Sequence, residues 1–114
     1  MKVDKSLTSG STTMLILKLL ENQDMYGYQM IEELENKSKN VFTLKAGTLY
    51  PILHSLEQQG MITAYEGLSE EGRTRKYYKI TEKGKKLFSE KKEEWTVYAK
   101  AVKDVLGGVS YATV

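Results

Sequence analysis

In Gly47-Thr48-Leu49-Tyr50-Pro51-Ile52-Leu53-His54-Ser55-Leu56-Glu57-Gln58-Gln59-Gly60, the residues Leu49, Ile52, Leu53 and Leu56 fall at i, i+3, i+4 and i+7. That spacing lines one face of a helix, and Gly60 supplies a C-terminal stop. Pro51 lies inside the pattern, where it removes a hydrogen bond and costs about 3 kcal/mol in a helix interior. A start at Gly47 or Thr48 puts it in or just past the first turn, and a loosened turn is expected there. With the leucines turned inward, Gly47, Pro51, His54 and Gln58 point outward, and Thr48, Tyr50 and Ser55 lie at the margins. Apart from Glu57, also at the margin, this face is uncharged, small or hydrogen-bonding, as contacts to base edges and phosphates require. Gly47 allows close backbone approach, and the free N–H groups of a first turn favour an anion. A merely solvated helix face has a similar composition, so the flanking sequence must decide.

Upstream, Met14-Leu15-Ile16-Leu17-Lys18-Leu19-Leu20 reads as a buried first helix, with Ser9, Ser11, Thr12 and Thr13 as candidate N-caps. Gly27, Met30, Ile31 and Leu34 share one face of a second, amphipathic helix whose other face carries Glu32, Glu33 and Glu35. The polar run 36–40 predicts a turn. Downstream, Met61 to Glu66 and Lys76 to Ile80 are β-prone and are joined by Gly67-Leu68-Ser69-Glu70-Glu71-Gly72, the pattern of a hairpin with a long tip. Thr81 is a good N-cap for a long fourth helix without proline that runs to Leu106 and is closed by Gly107-Gly108. The expected fold is mainly α with a small β-hairpin: a winged helix-turn-helix plus a long C-terminal dimerisation helix. In such a domain the third helix enters the major groove and the hairpin flanks it.

Charge is informative only locally. The whole chain has 17 basic and 15 acidic residues, and residues 1–80 carry ten of each. The one clear excess is Arg73-Thr74-Arg75-Lys76-Tyr77-Tyr78-Lys79, which would lie beside a bound duplex and neutralise phosphates. A charge run is often only solvated surface. It nevertheless weighs against the rival reading, a winged-helix protein-interaction module without DNA binding, which has no need of Arg73, Arg75 and Lys76 together.

Composition excludes much else. The chain has no cysteine and one histidine, so disulfides, thiolate nucleophiles and poly-histidine metal sites are ruled out, and no cofactor or metal is expected. His54 alone reads as a hydrogen-bonding surface side chain. Glutamates scattered over helix faces make no paired carboxylate site, so an enzyme is not expected. No apolar run approaches the roughly 20 residues that cross a bilayer, and Met1-Lys2-Val3-Asp4-Lys5 mixes charges with no long apolar core behind it. No membrane partner and a cytoplasmic setting are expected.

Three segments carry a family resemblance when taken in order: 47–53, Leu56-Glu57-Gln58-Gln59-Gly60-Met61-Ile62, and Gly72-Arg73-Thr74-Arg75-Lys76-Tyr77-Tyr78-Lys79-Ile80-Thr81-Glu82-Lys83-Gly84, with Tyr26-Gly27-Tyr28 fitting the second helix. The chain resembles the PadR family of bacterial transcriptional regulators. The resemblance implies a homodimeric winged helix-turn-helix repressor of the small kind with one dimerisation helix. Its expected double-stranded DNA contacts are Gly47, Thr48, Tyr50, His54, Ser55, Gln58, Arg73, Arg75 and Lys76. Ser55 departs from the family's usual basic residue before the Leu-Glu pair, so an operator sequence does not transfer.

In the fourth helix Phe88, Trp95 and Val102 are seven apart, as are Tyr98 and Val105. As a heptad, Trp95 and Val102 take a and Tyr98 and Val105 take d, a seam for another helix that Lys91 interrupts. Folding back on the chain's own domain is the alternative. Two recognition helices related by a two-fold axis would read a palindrome with half-sites spaced by whole turns of about 10 base pairs. In drug-sensing relatives a tryptophan at the matching point sandwiches flat aromatic compounds across the dimer. Trp95 resembles it, with Met14 expected to line the same space for a planar aromatic effector. A tryptophan pair packed shut is the other reading. The expected organisation is 1–81 winged helix-turn-helix, 82–106 dimerisation helix and 107–114 flexible tail.

Overall fold

The computed structural model describes residues 3–107, so all of the expected tail except Gly107 lies outside the described residues. The chain opens with a short α1 (Lys5–Thr8) and a 3-10 turn, Ser9–Ser11, that the sequence pattern did not announce. α2 (Thr12–Asn22) buries Ile16, Leu17, Leu19 and Leu20. Its start is not capped as expected. Ser11 stays in the helical region and makes no side-chain cap bond, because the chain enters from a preceding helical turn. The Ser11 and Thr12 hydroxyls instead donate back to the Thr8 carbonyl, at 3.1 and 3.0 Å.

β1 (Met25–Tyr26) leads directly into α3 (Gly27–Lys37). The Tyr26 N–H donates to Gln29 Oε1 at 3.1 Å, which closes the first turn of α3 from the strand side. The expected turn follows, with Lys39 and Asn40 at φ of 53° and 67°. α4 (Ala46–Gln58) begins one residue before the expected start and buries Leu49, Leu53 and Leu56, with Ile52 half-buried. Pro51 sits inside it. Because proline lacks an N–H, the Gly47 carbonyl has no i+4 donor, while the Lys45 carbonyl accepts from both Thr48 and Leu49 N–H at 3.0 and 2.9 Å.

β2 (Ile62–Leu68) and β3 (Thr74–Ile80) form the hairpin, two residues longer toward the tip on each side than the sequence indicated. The sheet has three antiparallel strands in the order β1-β3-β2, not the two expected. β1 makes only two pairs, Met25 with Tyr78 and Tyr26 with Tyr77. A two-residue strand has no alternation to detect; it exists because β3 offers it an edge.

α5 (Glu82–Val105) starts at the expected cap, where Thr81 Oγ1 accepts from the Gly84 N–H at 3.0 Å and donates to the Gly60 carbonyl at 2.7 Å. The Lys83 ammonium donates to the Gln59 carbonyl at 2.9 Å, tying α5 to the end of α4. The first half of α5 lies on α2 and buries Phe88 in the common core; beyond it the helix exposes most of its side chains.

Candidate nucleic-acid interface

The outward stripe of α4 is open to solvent. Gly47, Thr48, Pro51, His54, Ser55 and Gln58 are all exposed, and they fall on the face opposite Leu49, Leu53 and Leu56. Ser55 Oγ accepts from Gln59 Nε2 at 2.8 Å. Tyr50 is less free than its neighbours. Although 40% exposed, its ring end covers Gly27, and a Cβ there would overlap the hydroxyl. Tyr50 therefore fixes α4 against α3 as well as facing outward.

No side chain caps the start of α4, and with the Thr48 N–H donating to the Lys45 carbonyl, the first-turn N–H groups left for an anion are those of Ala46 and Gly47. Lys45 immediately precedes this turn and is exposed, as are Lys37, the last residue of α3, and Lys39 in the connection that follows. The sequence reading missed these three lysines because they are dispersed rather than consecutive. The signal was a lysine two residues before Gly47, next to a helix start.

The wing divides its cations between two faces, since side chains alternate along a strand. Arg73 is exposed at the tip, and its side chain has no ion pair among the described residues. Arg75 is half-buried on the outer face: its guanidinium lies 5.0 Å from the Tyr26 ring centroid and 3.8 Å from a Glu71 carboxylate oxygen. Lys76 points the other way, toward α4, with its ammonium 3.6 Å from Glu57 and 5.4 Å from the Tyr78 ring. Glu66 is its cross-strand partner. Between wing and helix is an open hollow of about 410 Å³, whose lining includes Glu57, Glu66, Thr74 and Lys76. Arg73, Arg75 and Lys76 thus do not form one patch. Lys79 is exposed farther along β3.

On the outer face Tyr26, Tyr77 and Tyr65 form a row. Tyr26 meets Tyr77 edge-on at 5.5 Å between centroids, and Tyr65 stacks on Tyr77 at 5.7 Å with planes 14° apart. The Tyr65 hydroxyl donates to Asp24 Oδ2 at 2.6 Å. That hydrogen bond to a carboxylate holds the Tyr65 phenol above its ordinary pKa, with partial desolvation and the negative charge of Asp24 adding to the effect.

A second feature lies at the other end of the molecule. Leu7, Gly10, Ser11 and Met14 face Lys91, Glu94, Trp95 and Tyr98 across an open groove of about 350 Å³. Met14, Trp95 and Tyr98 are thus together, while Val102 and Val105 continue along the exposed side of α5. Phe88, in register with Trp95 and Val102, belongs to the chain's own core. No cluster of metal-binding side chains occurs among the described residues, and no helix there is long and apolar enough to cross a membrane.

The arrangement of helices, wing and long final helix matches known proteins. The model of the transcriptional regulator PadR-like family covers residues 16–90, from α2 into α5. The chain belongs to the PadR-like family. A transcriptional regulator from Clostridium thermocellum is 34% identical with a TM-score of 0.80, over 88% of this chain and 97% of that one. A PadR-like transcriptional regulator from Bacillus cereus is 27% identical with a TM-score of 0.81, over 91% and 99%. An uncharacterized protein, protein X, of Lysinibacillus sphaericus is 39% identical over 93 residues, 82% of this chain and 85% of its own. The PadR-like chain is accordingly a winged-helix transcriptional regulator, and DNA is the partner its family implies. In the terms of that fold, α4 is the third of the core helices α2, α3 and α4, and β2–β3 is the wing.

Proposed function

We propose that this PadR-like regulator is a repressor that binds a palindromic operator as a homodimer joined through α5. The observation that carries the reading is the exposed, uncharged stripe Gly47, Thr48, His54, Ser55 and Gln58 on α4, with the tip cation Arg73 on the flanking wing. Hydrogen-bonding side chains on such a helix read base edges, while Arg73, Arg75 and the first-turn N–H groups with Lys45 hold phosphates. Lys76 serves this interface only by leaving Glu57.

The dimer is supported by the apolar side chains left open on α5. Trp95 is 50% exposed, Tyr98 65% and Val105 86%, a stripe that favours burial against a second copy. Two recognition helices then bind adjacent half-sites, and the second engagement is intramolecular.

The groove beside Trp95 favours an effector as a further part of the reading. A planar aromatic cation stacked on Trp95 near Glu94 would release DNA if it bound better to a dimer whose recognition helices are out of register. Trp95 is the only tryptophan. Its fluorescence should be quenched by such a cation, and Trp95→Ala should abolish binding measured by calorimetry. An unquenched signal over a broad panel of planar cations would leave a packed tryptophan pair.

The DNA reading is tested by selecting duplexes from a randomised library with the purified chain and footprinting the winners. An inverted repeat with half-sites one helical turn apart, bound with strong salt dependence, is the expected result. No enrichment, with no duplex binding at low salt, would overturn it.

A further inference from the structure

The wing is anchored to the body along one line. Tyr26, Tyr77 and Tyr65 are mutual register partners, Tyr26 with Tyr77 and Tyr77 with Tyr65, so they occupy a single rung across β1, β3 and β2. Past that rung β1 is finished. The hairpin continues as two strands through Glu66–Leu68 and Thr74–Lys76 to the tip. A two-stranded ribbon twists and bends easily, so this rung is the hinge line of the wing.

At that line one side chain crosses the whole sheet. Tyr65 starts on the edge strand β2, passes over Tyr77 and reaches Asp24 in the connection between α2 and β1, 41 residues away in the chain. Its hydroxyl–carboxylate bond, at 2.6 Å, is short and charge-assisted. On the opposite face, one residue beyond the rung, Lys76 meets Glu57 at 3.6 Å, a longer contact that, like the Tyr65–Asp24 bond, is open to solvent. Of the two, only the outer contact, at 2.6 Å, has hydrogen-bonding length.

Resting on the DNA reading above, we propose that Asp24 and Tyr65 are positioning residues for DNA engagement, a strap that fixes the angle at which the wing presents Arg73. The lever is long enough to matter. Arg73 lies four residues past Tyr77, about 13 Å along the strand. A tilt of about 10° at the rung moves the tip by about 2 Å, more than a phosphate hydrogen bond tolerates. Neither residue needs to touch DNA.

The experiment compares the full chain with Tyr65→Phe, Asp24→Ala and Asp24→Asn on a library-selected duplex, with wing amide hydrogen exchange and thermal unfolding followed in parallel. Tyr65→Phe keeps the stacked ring and loses only the hydroxyl, and it should weaken binding about five- to tenfold while wing amides exchange faster. Asp24→Ala should match it, and the double variant should lose no more than either alone. Asp24→Asn keeps an acceptor oxygen but loses the charge, and its binding should fall between that of the parent and that of Asp24→Ala. Affinity and wing exchange unchanged in Tyr65→Phe would overturn the strap, as would Asp24→Asn falling as far as Asp24→Ala. A parent chain that binds no duplex would instead overturn the DNA reading and the positioning role with it, and wing exchange would still report whether the strap is made.

Discussion

The ring of Tyr50 occupies the space that a side chain at Gly27 would need, so the start of α3 and α4 are in contact through a glycine. A Cβ at Gly27 meets the far end of a side chain that is 40% exposed and can swing aside. At Gly84 the added atom would meet the Met61 carbonyl, which is backbone, together with Ile80 Cγ1 at 2.8 Å. Gly27→Ala should therefore cost about 1 kcal/mol and Gly84→Ala about 3 kcal/mol, the two ends of the overpacking range. Urea unfolding measures both. Tyr50→Ala should remove the Gly27→Ala penalty in a double-mutant cycle; a penalty that persists would mean that the contact is not what limits position 27.

The split of the wing cations between two faces predicts unequal losses on DNA. Arg73→Ala should weaken binding to every duplex alike and lower the salt slope by about one counterion. Lys76→Ala should do less, because Lys76 is already paired with Glu57. His54→Ala and Gln58→Ala should alter which duplexes are preferred by about 1–3 kcal/mol at one position each. Anisotropy titrations on selected and scrambled duplexes at several salt concentrations separate these patterns. A uniform loss for all four variants would contradict the division between readout and charge.

How far this was legible in the sequence follows from what each pattern depends on. The helical spacing of Leu49, Ile52, Leu53 and Leu56 predicts α4 and its inward face because burial on one side imposes that period. Thr81 predicts the start of α5 because an N-cap is a local bond. Met25 and Tyr26 were not legible as a strand, since their conformation comes from pairing with Tyr77 and Tyr78 about fifty positions later. The run Arg73 to Lys79 read as a single basic patch, although strand alternation places Arg75 over Tyr26 and turns Lys76 toward Glu57. Heptad spacing puts Phe88 with Trp95 and Val102, yet Phe88 is consumed by the chain's own core. The Tyr65–Asp24 bond joins two unremarkable residues and was visible only once the sheet was formed.

The same bond gives a pH signature. Tyr65 has its phenol raised above the ordinary value of 10.0, first through the hydrogen bond to Asp24. The hydroxyl must be protonated to donate, so the stabilisation is fully present below the unfolded value and is lost as pH rises through the higher folded one. At neutral pH the strap is intact. Among the eight tyrosines, one should ionise later than an unperturbed tyrosine in an absorbance titration, and Tyr65→Phe should delete that late phase. Asp24→Ala should bring it back toward the ordinary range. A titration in which Tyr65→Phe removes an early phase would mean that the bond is not made in solution.

The exposed stripe on α5 makes association the most exacting test of the proposed mechanism. Tyr98 and Val105 make little use of their own domain, being 65% and 86% exposed, so charging them should leave the monomer's fold and melting temperature nearly unchanged. Against a second copy the same carboxylates would be desolvated without partners, at a cost of several kcal/mol. Tyr98→Glu with Val105→Glu should accordingly sediment as a monomer at concentrations where the parent is a dimer. Its recognition helix is untouched, so it should still bind a single half-site, but affinity for the full palindrome should fall about a hundredfold or more once the second engagement is no longer intramolecular. If the double variant remained dimeric, the partner surface would have to be sought elsewhere on the chain. If it became monomeric and still bound the palindrome as tightly as the parent, pairing of the two readout stripes would not be the source of affinity.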